Sequence, residues 1–214
     1  MAFNISSFRS SGLTYDGARP TLFEVHVNFP TLASNGQAET NRLRFLAQAT
    51  SLPASTVDKI PVAYFGRTIN VDGARTFEDW QIEVLNDEDF SIKAAFEAWL
   101  NGINTHISNR KDPAFAGMAY KSTATVYQLS KELDGNDIEN AIRAYTFSGM
   151  FPTQVSQIRL DWGDTGRIET FTVNLAYDYW VPGADENYTA NDSKFNGVDG
   201  SAKSWSPRLA SDNS

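Results

Sequence analysis

Cysteine is absent from the 214 residues, which removes disulfides, thiolate nucleophiles and thiolate metal sites from consideration. Histidine is nearly absent: His26 and His106 are the only two, eighty positions apart, so no local histidine metal motif exists. No apolar run approaches the ~18 residues a spanning helix needs, so the monomer is not expected to insert into a membrane. The opening MAFNISSFRSSG lacks a basic start followed by an apolar stretch, so no secretory signal is expected. Positive charge is also in short supply. Lys and Arg number 18 against 26 Asp and Glu, a formal net charge of −8, and no cationic run is longer than Arg110-Lys111. Affinity for nucleic acid is supplied by cations that displace counterions from phosphate, so no firm grip on DNA is expected. No G-x-S-x-G elbow, phosphate-binding glycine loop or dinucleotide fingerprint occurs either. Neither an enzymatic reaction nor a cofactor is expected.

What is present is a globular composition: 41% hydrophobic, 13% aromatic and 21% charged residues. This excludes a fully disordered chain and a coiled coil. A body of this mass buries about 70% of its unfolded surface, ample for one core, and one domain or at most two is expected. Period-two alternation dominates. Thr21–Phe29 sets Phe23, Val25, Val27 and Phe29 against Glu24, His26 and Asn28, a half-buried strand. Asn41–Thr50 gives a weaker strand, with Leu43, Phe45, Ala47 and Ala49 on one side. Ile60–Val71 is β-branched and aromatic and runs into Asp72-Gly73, a pair suited to a two-residue hairpin turn whose central residues both take positive φ. Thr76–Leu85 then returns with Trp80, Ile82 and Val84 on one face.

One helix is predicted next. Asn86-Asp87-Glu88-Asp89 offers an N-cap and an acidic first turn. Ile92, Ala95, Phe96, Trp99, Leu100 and Ile103 form a single apolar stripe. Gly102 offers a stop, and Ile103 and Ile107 offer a continuation. Asn109–Gly117 reads as a loop. Strands resume at Tyr120–Leu129 and Ala141–Phe151, joined through Asp134-Gly135-Asn136-Asp137. Val155–Leu160 and Ile168–Val181 form a second hairpin across Asp161–Arg167. In its last strand Phe171, Val173, Leu175, Tyr177, Tyr179 and Val181 face one way, and Thr170, Thr172, Asn174 and Asp178 the other. Pro182–Ser214 is poor in aliphatics and reads as a loop-like extension. Its Tyr188, Phe195 and Trp205 are suited to anchoring on a neighbouring surface.

Several clusters invite a chemical reading. Asp161-Trp162-Gly163-Asp164 and Asp134-Gly135-Asn136-Asp137 set carboxylates beside glycine, as calcium loops do. Neither supplies the distal glutamate of an EF-hand, and plain turns account for both. Glu78, Asp79, Glu83, Asp87, Glu88, Asp89 and Glu97 form an acidic stretch. A glycosidase places two carboxylates across a sugar cleft, but nothing in the sequence pairs any two of these. A solvated strand edge and a capped helix start explain them. His26 reads as a surface or interface histidine rather than a base. The aromatics Tyr64, Phe65, Trp80, Phe96, Trp99, Tyr145, Phe147, Phe151, Trp162, Tyr177, Tyr179 and Trp180 lack the interleaved cations of a base-stacking surface. Core and subunit interface are the expected uses.

A set of segments in register carries a sharper reading. Ala18-Arg19-Pro20-Thr21-Leu22-Phe23 is followed by Leu52-Pro53-Ala54-Ser55-Thr56-Val57-Asp58-Lys59-Ile60-Pro61-Val62 and Gly66-Arg67-Thr68-Ile69-Asn70-Val71-Asp72-Gly73. Then come Arg75-Thr76-Phe77-Glu78-Asp79-Trp80, Asn86-Asp87-Glu88, Phe151-Pro152-Thr153, Leu160-Asp161-Trp162 and Tyr177-Asp178-Tyr179-Trp180. In this order and spacing they resemble the tail tube proteins of contractile-tailed bacteriophages over residues 18–181. Residues 1–17 are then an N-terminal arm and 182–214 an extension onto which the resemblance carries no role.

The resemblance implies a mainly β fold, sandwich or barrel-like, with one flanking α-helix. It implies hexameric rings whose sheets join into a continuous inner barrel, stacked as a hollow tube inside a contractile sheath. The implied partners are further copies of itself, the sheath protein, the tape-measure protein, baseplate and tail-terminator proteins, and DNA in transit without specific binding. The implied location is the virion tail, assembled in the host cytoplasm. The alternative is the tube of a phage-like bacteriocin or type VI-like injection system without DNA cargo. A soluble carbohydrate-binding β-sandwich is a reading of a different class.

Elementary physics points the same way. Open sheet edges favour association, ring closure satisfies them, and head-to-tail stacking propagates without limit. The hairpin Asp58–Trp80 and the arm Met1–Gly17 are the expected inter-ring contacts, with Asp58, Lys59, Ile60, Arg67, Ile69, Val71, Asp72, Gly73 and Arg75 as interface residues. A conduit must pass DNA without holding it, so a lumen face of Thr, Asn and Asp rather than Lys is expected; the polar row Thr170, Thr172, Asn174 and Asp178 is one candidate, and the sequence leaves open whether it points inward or outward.

Overall fold

The computed structural model describes residues 17–30, 37–129, 141–163 and 166–183. The expected arm up to residue 16, the Asp134–Asp137 link, Asp164 and the extension beyond Gly183 lie outside them. In chain order the elements are β1 (Phe23–Val27), α1 (Gln37–Leu46), β2 (Ala47–Thr50), β3 (Thr56–Tyr64), β4 (Arg67–Thr76) and β5 (Trp80–Leu85). They continue with α2 (Ser91–Ile103), a short 3-10 turn (Pro113–Phe115), β6 (Ser122–Leu129), β7 (Ala141–Val155), β8 (Thr170–Ala176) and β9 (Tyr179–Pro182). The expected mainly β architecture is what forms, with two α-helices among the described residues in place of one.

The fifteen-residue β7 organises the body. Its first half lies between β6 and β9, giving a sheet ordered β1-β6-β7-β9. Its second half begins another, ordered β7-β8-β5-β2. The pairs Ser148↔Tyr179 and Phe151↔Ala176 continue one antiparallel register. The predicted strand Ile168–Val181 is therefore a single line of pairing, interrupted at Tyr177-Asp178 opposite Gly149. There the ribbon turns from one sheet into the other. Gly149 takes φ 68, and a Cβ built on it would collide with the Asp178 carboxylate. Gly149→Ala should therefore cost about 1–3 kcal/mol from the left-handed backbone alone. A urea titration of the purified chain measures it, and an unchanged midpoint would contradict this account of the corner.

Alternation places the core. Val25, Val27, Ala124, Val126 and Phe147 from the first sheet meet Trp80, Ile82, Val84, Phe171, Val173 and Leu175 from the second. The predicted stripe of α2 buries Ile92, Ala95, Phe96 and Trp99 in the same cluster, and α1 adds Leu43. α2 ends at Ile103, one residue past the expected stop at Gly102, and does not continue to Ile107; a Cβ at Gly102 would overlap the Phe115 ring.

Four expectations are corrected. Asn41–Thr50 is not one strand: residues to Leu46 are helical, with Glu39 in the first turn and Arg44 in the last, as the helix dipole favours. Leu43 is buried while Phe45 is 77% exposed, so the two do not share a face as a strand would require. Asn86 and the acids at 87–89 do not open α2, whose N-cap is Phe90 at φ 53 with no side-chain cap. Asp87 and Asp89 instead bind Arg42 of α1 at 3.2 and 3.3 Å. The second hairpin pairs Phe151–Val155, rather than Val155–Leu160, with β8. Finally, the first hairpin turns at Phe65-Gly66 (φ 43 and 77), not at Asp72-Gly73. The rule of two positive-φ residues holds, but at a site seven residues earlier than expected.

Candidate assembly surfaces

Among the described residues the β3–β4 hairpin forms a two-stranded sheet of its own and makes no substantial contact with another strand or helix. Nine residues of β3 span about 30 Å at the usual strand rise. The pairs Ile60↔Val71, Val62↔Ile69 and Tyr64↔Arg67 share one face, and Lys59↔Asp72, Pro61↔Asn70 and Ala63↔Thr68 the other. Phe65 caps the tip, 90% exposed and edge-on to Tyr64 at 4.6 Å. The ribbon is thus amphipathic with nothing of its own chain against the apolar side among the described residues. A lone hairpin is marginal in water, so a surface that covers it is required for stability.

Asp72-Gly73, read from the sequence as a turn, forms a bulge. Gly73 and Ala74 stand opposite the single residue Asp58 between the pairs Lys59↔Asp72 and Val57↔Arg75. A Cβ at Gly73 would approach the Asp58 carbonyl oxygen to 2.9 Å. All nine expected interface residues therefore lie on this one hairpin, with Arg75 near its base, 3.4 Å from the Ser55 hydroxyl. The expected interface set leaves out Val62, which the alternation Ile60-Val62-Tyr64 would have added; Tyr64 and Phe65 were expected only among the aromatics of core or subunit interface.

The polar face of the second sheet is the next surface. Thr172 stands opposite Glu83, and Asn174 opposite Gln81 and Gln154; the Asn174 amide donates to Gln154 at 3.1 Å. Thr170 continues the row, opposite Leu85. None of these side chains is cationic. Asp178 does not share the row. It sits in the break between β8 and β9, where its N–H donates to the Ser148 carbonyl at 3.0 Å and Lys121 Nζ donates to its carboxylate at 2.6–2.7 Å.

This pair raises the Lys121 pKa, chiefly through the hydrogen bond to Asp178 and against partial desolvation. A raised folded-state value stabilises the fold fully below the ordinary lysine value of 10.5 and loses that contribution as pH climbs through the raised one. Lys121→Met should thus lower stability at neutral pH by at most about 1 kcal/mol, as for a partly exposed ion pair. It should also remove part of the stability loss in strong alkali. Denaturant midpoints at pH 7 and pH 11 read both effects. Nearby, burial and then the Asp79 and Glu78 carboxylates push the Tyr177 phenol upward.

The remaining clusters are structural. Asp161 Oδ1 accepts the Gly163 N–H at 3.0 Å, the expected plain turn, and its other oxygen takes Arg159 at 2.9 Å. His26 Nε2 is 2.5 Å from Glu24 Oε1, edge-on to Tyr127, and Arg44 pairs with the same buried Glu24. Of the acidic stretch, Glu97 pairs with Lys93 one helical turn away. Among the described residues no group of three or more His, Asp or Glu could hold a metal ion, and no helix is long and apolar enough to cross a membrane.

Comparison with known proteins agrees with this geometry. The sequence profile of the phage tail tube protein family matches residues 18–182, against 18–181 expected. The tail tube protein gp19 of Enterobacteria phage T4 is 38% identical over 168 residues, 77% of this chain and 91% of its own. That of Enterobacteria phage T6 is 37% identical over the same coverage. At the level of fold alone, the tube-terminating cap of the anti-feeding prophage superposes with a TM-score of 0.56 at 14% identity, over 81% of this chain and 95% of that one. A match over nearly the whole described body, and relatives spanned almost end to end, place the chain in the phage tail tube protein family, structural components of the virion tail.

Proposed function

We propose that this chain builds the inner tube of a contractile phage tail, as hexameric rings joined edge to edge and stacked into a conduit for DNA. The role is structural rather than catalytic. One observation carries the reading. The second sheet ends on β2 at one side and on the second half of β7 at the other, and among the described residues neither outer edge meets another strand. Two open edges on one sheet suit a closed circle of copies, since only closure leaves no edge behind. Purified chain at high concentration should give rings or hollow rods by negative-stain microscopy. A monomer that stays monodisperse under those conditions would sink the proposal.

In such a circle the core-facing side of the sheet is occupied, so the row Thr170, Thr172 and Asn174, with Gln81, Glu83 and Gln154, lines the bore. Amides, hydroxyls and one carboxylate offer DNA no counterion-release gain, so the polymer slides. Rods carrying Thr172→Lys and Asn174→Lys should retain short duplex DNA at low salt and release it as salt rises, while unmodified rods retain none. Equal retention by both would refute this placement of the face. Sheath, baseplate and terminator proteins would contact the outside and ends of the tube, and a tape-measure protein its bore during assembly. Family membership supports the phage tube; an injection particle without DNA would use the same edges and stacking. A capsid-bearing particle in the producing lysate separates the two.

A further inference from the structure

We propose that the β7–β8 loop, through residues 156–163 and 166–169, is the receptor for the β3–β4 hairpin of a copy in the adjacent ring. This rests on the tube reading above and adds to it the identity of the acceptor. The hairpin leaves the second sheet at one end, between Thr50 of β2 and Trp80 of β5, and the loop closes the opposite end, between Val155 and Thr170. A copy's hairpin and its own loop are therefore separated by the length of the sheet. Contact between hairpin and loop is head to tail, and such a contact repeats along a filament, whereas hairpin against hairpin would close at two copies.

The loop is built to be covered. Trp162 is 104% exposed, Leu160 78% and Ile168 67%, and they are grouped together, as contiguous apolar patches at interaction sites are. They line an open concavity of about 790 Å³ with Ile158 and Arg167. The hairpin supplies the complementary shape, a ribbon with Ile60, Val62, Ile69 and Val71 on one side and Phe65 at its tip.

Charge agrees. The hairpin holds Lys59, Arg67 and Arg75 against Asp58 and Asp72. The loop end of the sheet holds Asp87, Glu88, Asp89, Asp161 and Glu169 against Arg42, Arg159 and Arg167. Asn86 ties the two acidic segments together, with its N–H donating to the Glu169 carbonyl at 2.8 Å and its amide to the Glu169 carboxylate at 3.0 Å. A hairpin with an excess of cations thus meets an end with an excess of anions.

The absence of cysteine makes the test direct. Chains carrying Val62→Cys or Phe65→Cys are mixed with chains carrying Gly163→Cys, which keeps the neighbouring Trp162 and has room for the side chain, assembled into rods and mildly oxidised. The expected result is a disulfide-linked dimer containing one chain of each kind, formed in rods and not in isolated rings. Ile107→Cys, at another exposed site, replaces Gly163→Cys as the control and should give none. Trp162→Ser, whose side chain touches no core, should lower rod yield at least tenfold with the thermal midpoint unchanged. Rods that form without the mixed dimer, a mixed dimer already present in isolated rings, or wild-type rod yield from Trp162→Ser would each overturn the inference and leave the tube reading standing. Failure of the unmodified chain to form any ring or rod would remove both.

Discussion

Replacing Ile60–Val71 with a two-residue Asn-Gly turn is expected to abolish rods while leaving a folded subunit. The hairpin makes no substantial contact with the body, so its removal should change unfolding stability by no more than about 0.5 kcal/mol, the range of ordinary surface changes. Assembly should respond very differently. Ile60, Val62, Tyr64, Phe65, Ile69 and Val71 keep about half or more of their surface in the lone subunit. Covering that surface is worth about 5–9 kcal/mol per copy at the usual 1.5–3 kcal/mol for full burial of such side chains, before association costs are deducted. Many copies acting together multiply the effect. Sedimentation and negative-stain microscopy should show rings or smaller species only. Long rods from the shortened chain would refute the assignment of the hairpin to stacking.

Phe147→Ala is expected to have the opposite signature, with the subunit itself failing. Phe147 is fully buried where β7 passes from one sheet to the other. It stacks on Trp80 of β5 at 4.2 Å and meets Tyr177, in the β8–β9 break, edge-on at 4.9 Å. Truncating such a ring removes its transfer energy and leaves a cavity between two sheets that share one continuous strand and cannot move together freely. The loss should be about 3–5 kcal/mol, a large share of the 5–15 kcal/mol typical of a domain. A urea unfolding curve measures it. A loss below about 1 kcal/mol would mean that the corner is not held by these rings.

The contrast between the two variants mirrors what was legible in the sequence. Phe23–Val27, Trp80–Leu85 and Thr170–Ala176 were readable because their alternation records burial inside a single chain. The Thr170–Thr172–Asn174 row followed from the same pattern. Asp72-Gly73 misled because a bulge and a turn both want a residue without a side chain, and what told them apart was the distant Asp58 backbone. No propensity proposes Phe65 for a left-handed position; the pairing Tyr64↔Arg67 puts it there. The acids at 87–89 looked like a helix start because the partner that claims two of them, Arg42, lies in a helix whose sequence mixes both periods. Asp178 was grouped with the row because a continuous strand was assumed. The bend imposed by Gly149 takes it elsewhere.

The solitary β3–β4 ribbon also bears on timing. Its backbone must be held in order without help from the rest of its own subunit, and fixing each residue costs about 1–2 kcal/mol of entropy. Under the proposed stacking through this ribbon, the first ring to be laid down meets no waiting template and bears that cost unaided, and each later ring finds a surface already in place. Growth from a seed is then fast and spontaneous initiation slow, so a pool of subunits can accumulate quietly until something supplies the first layer.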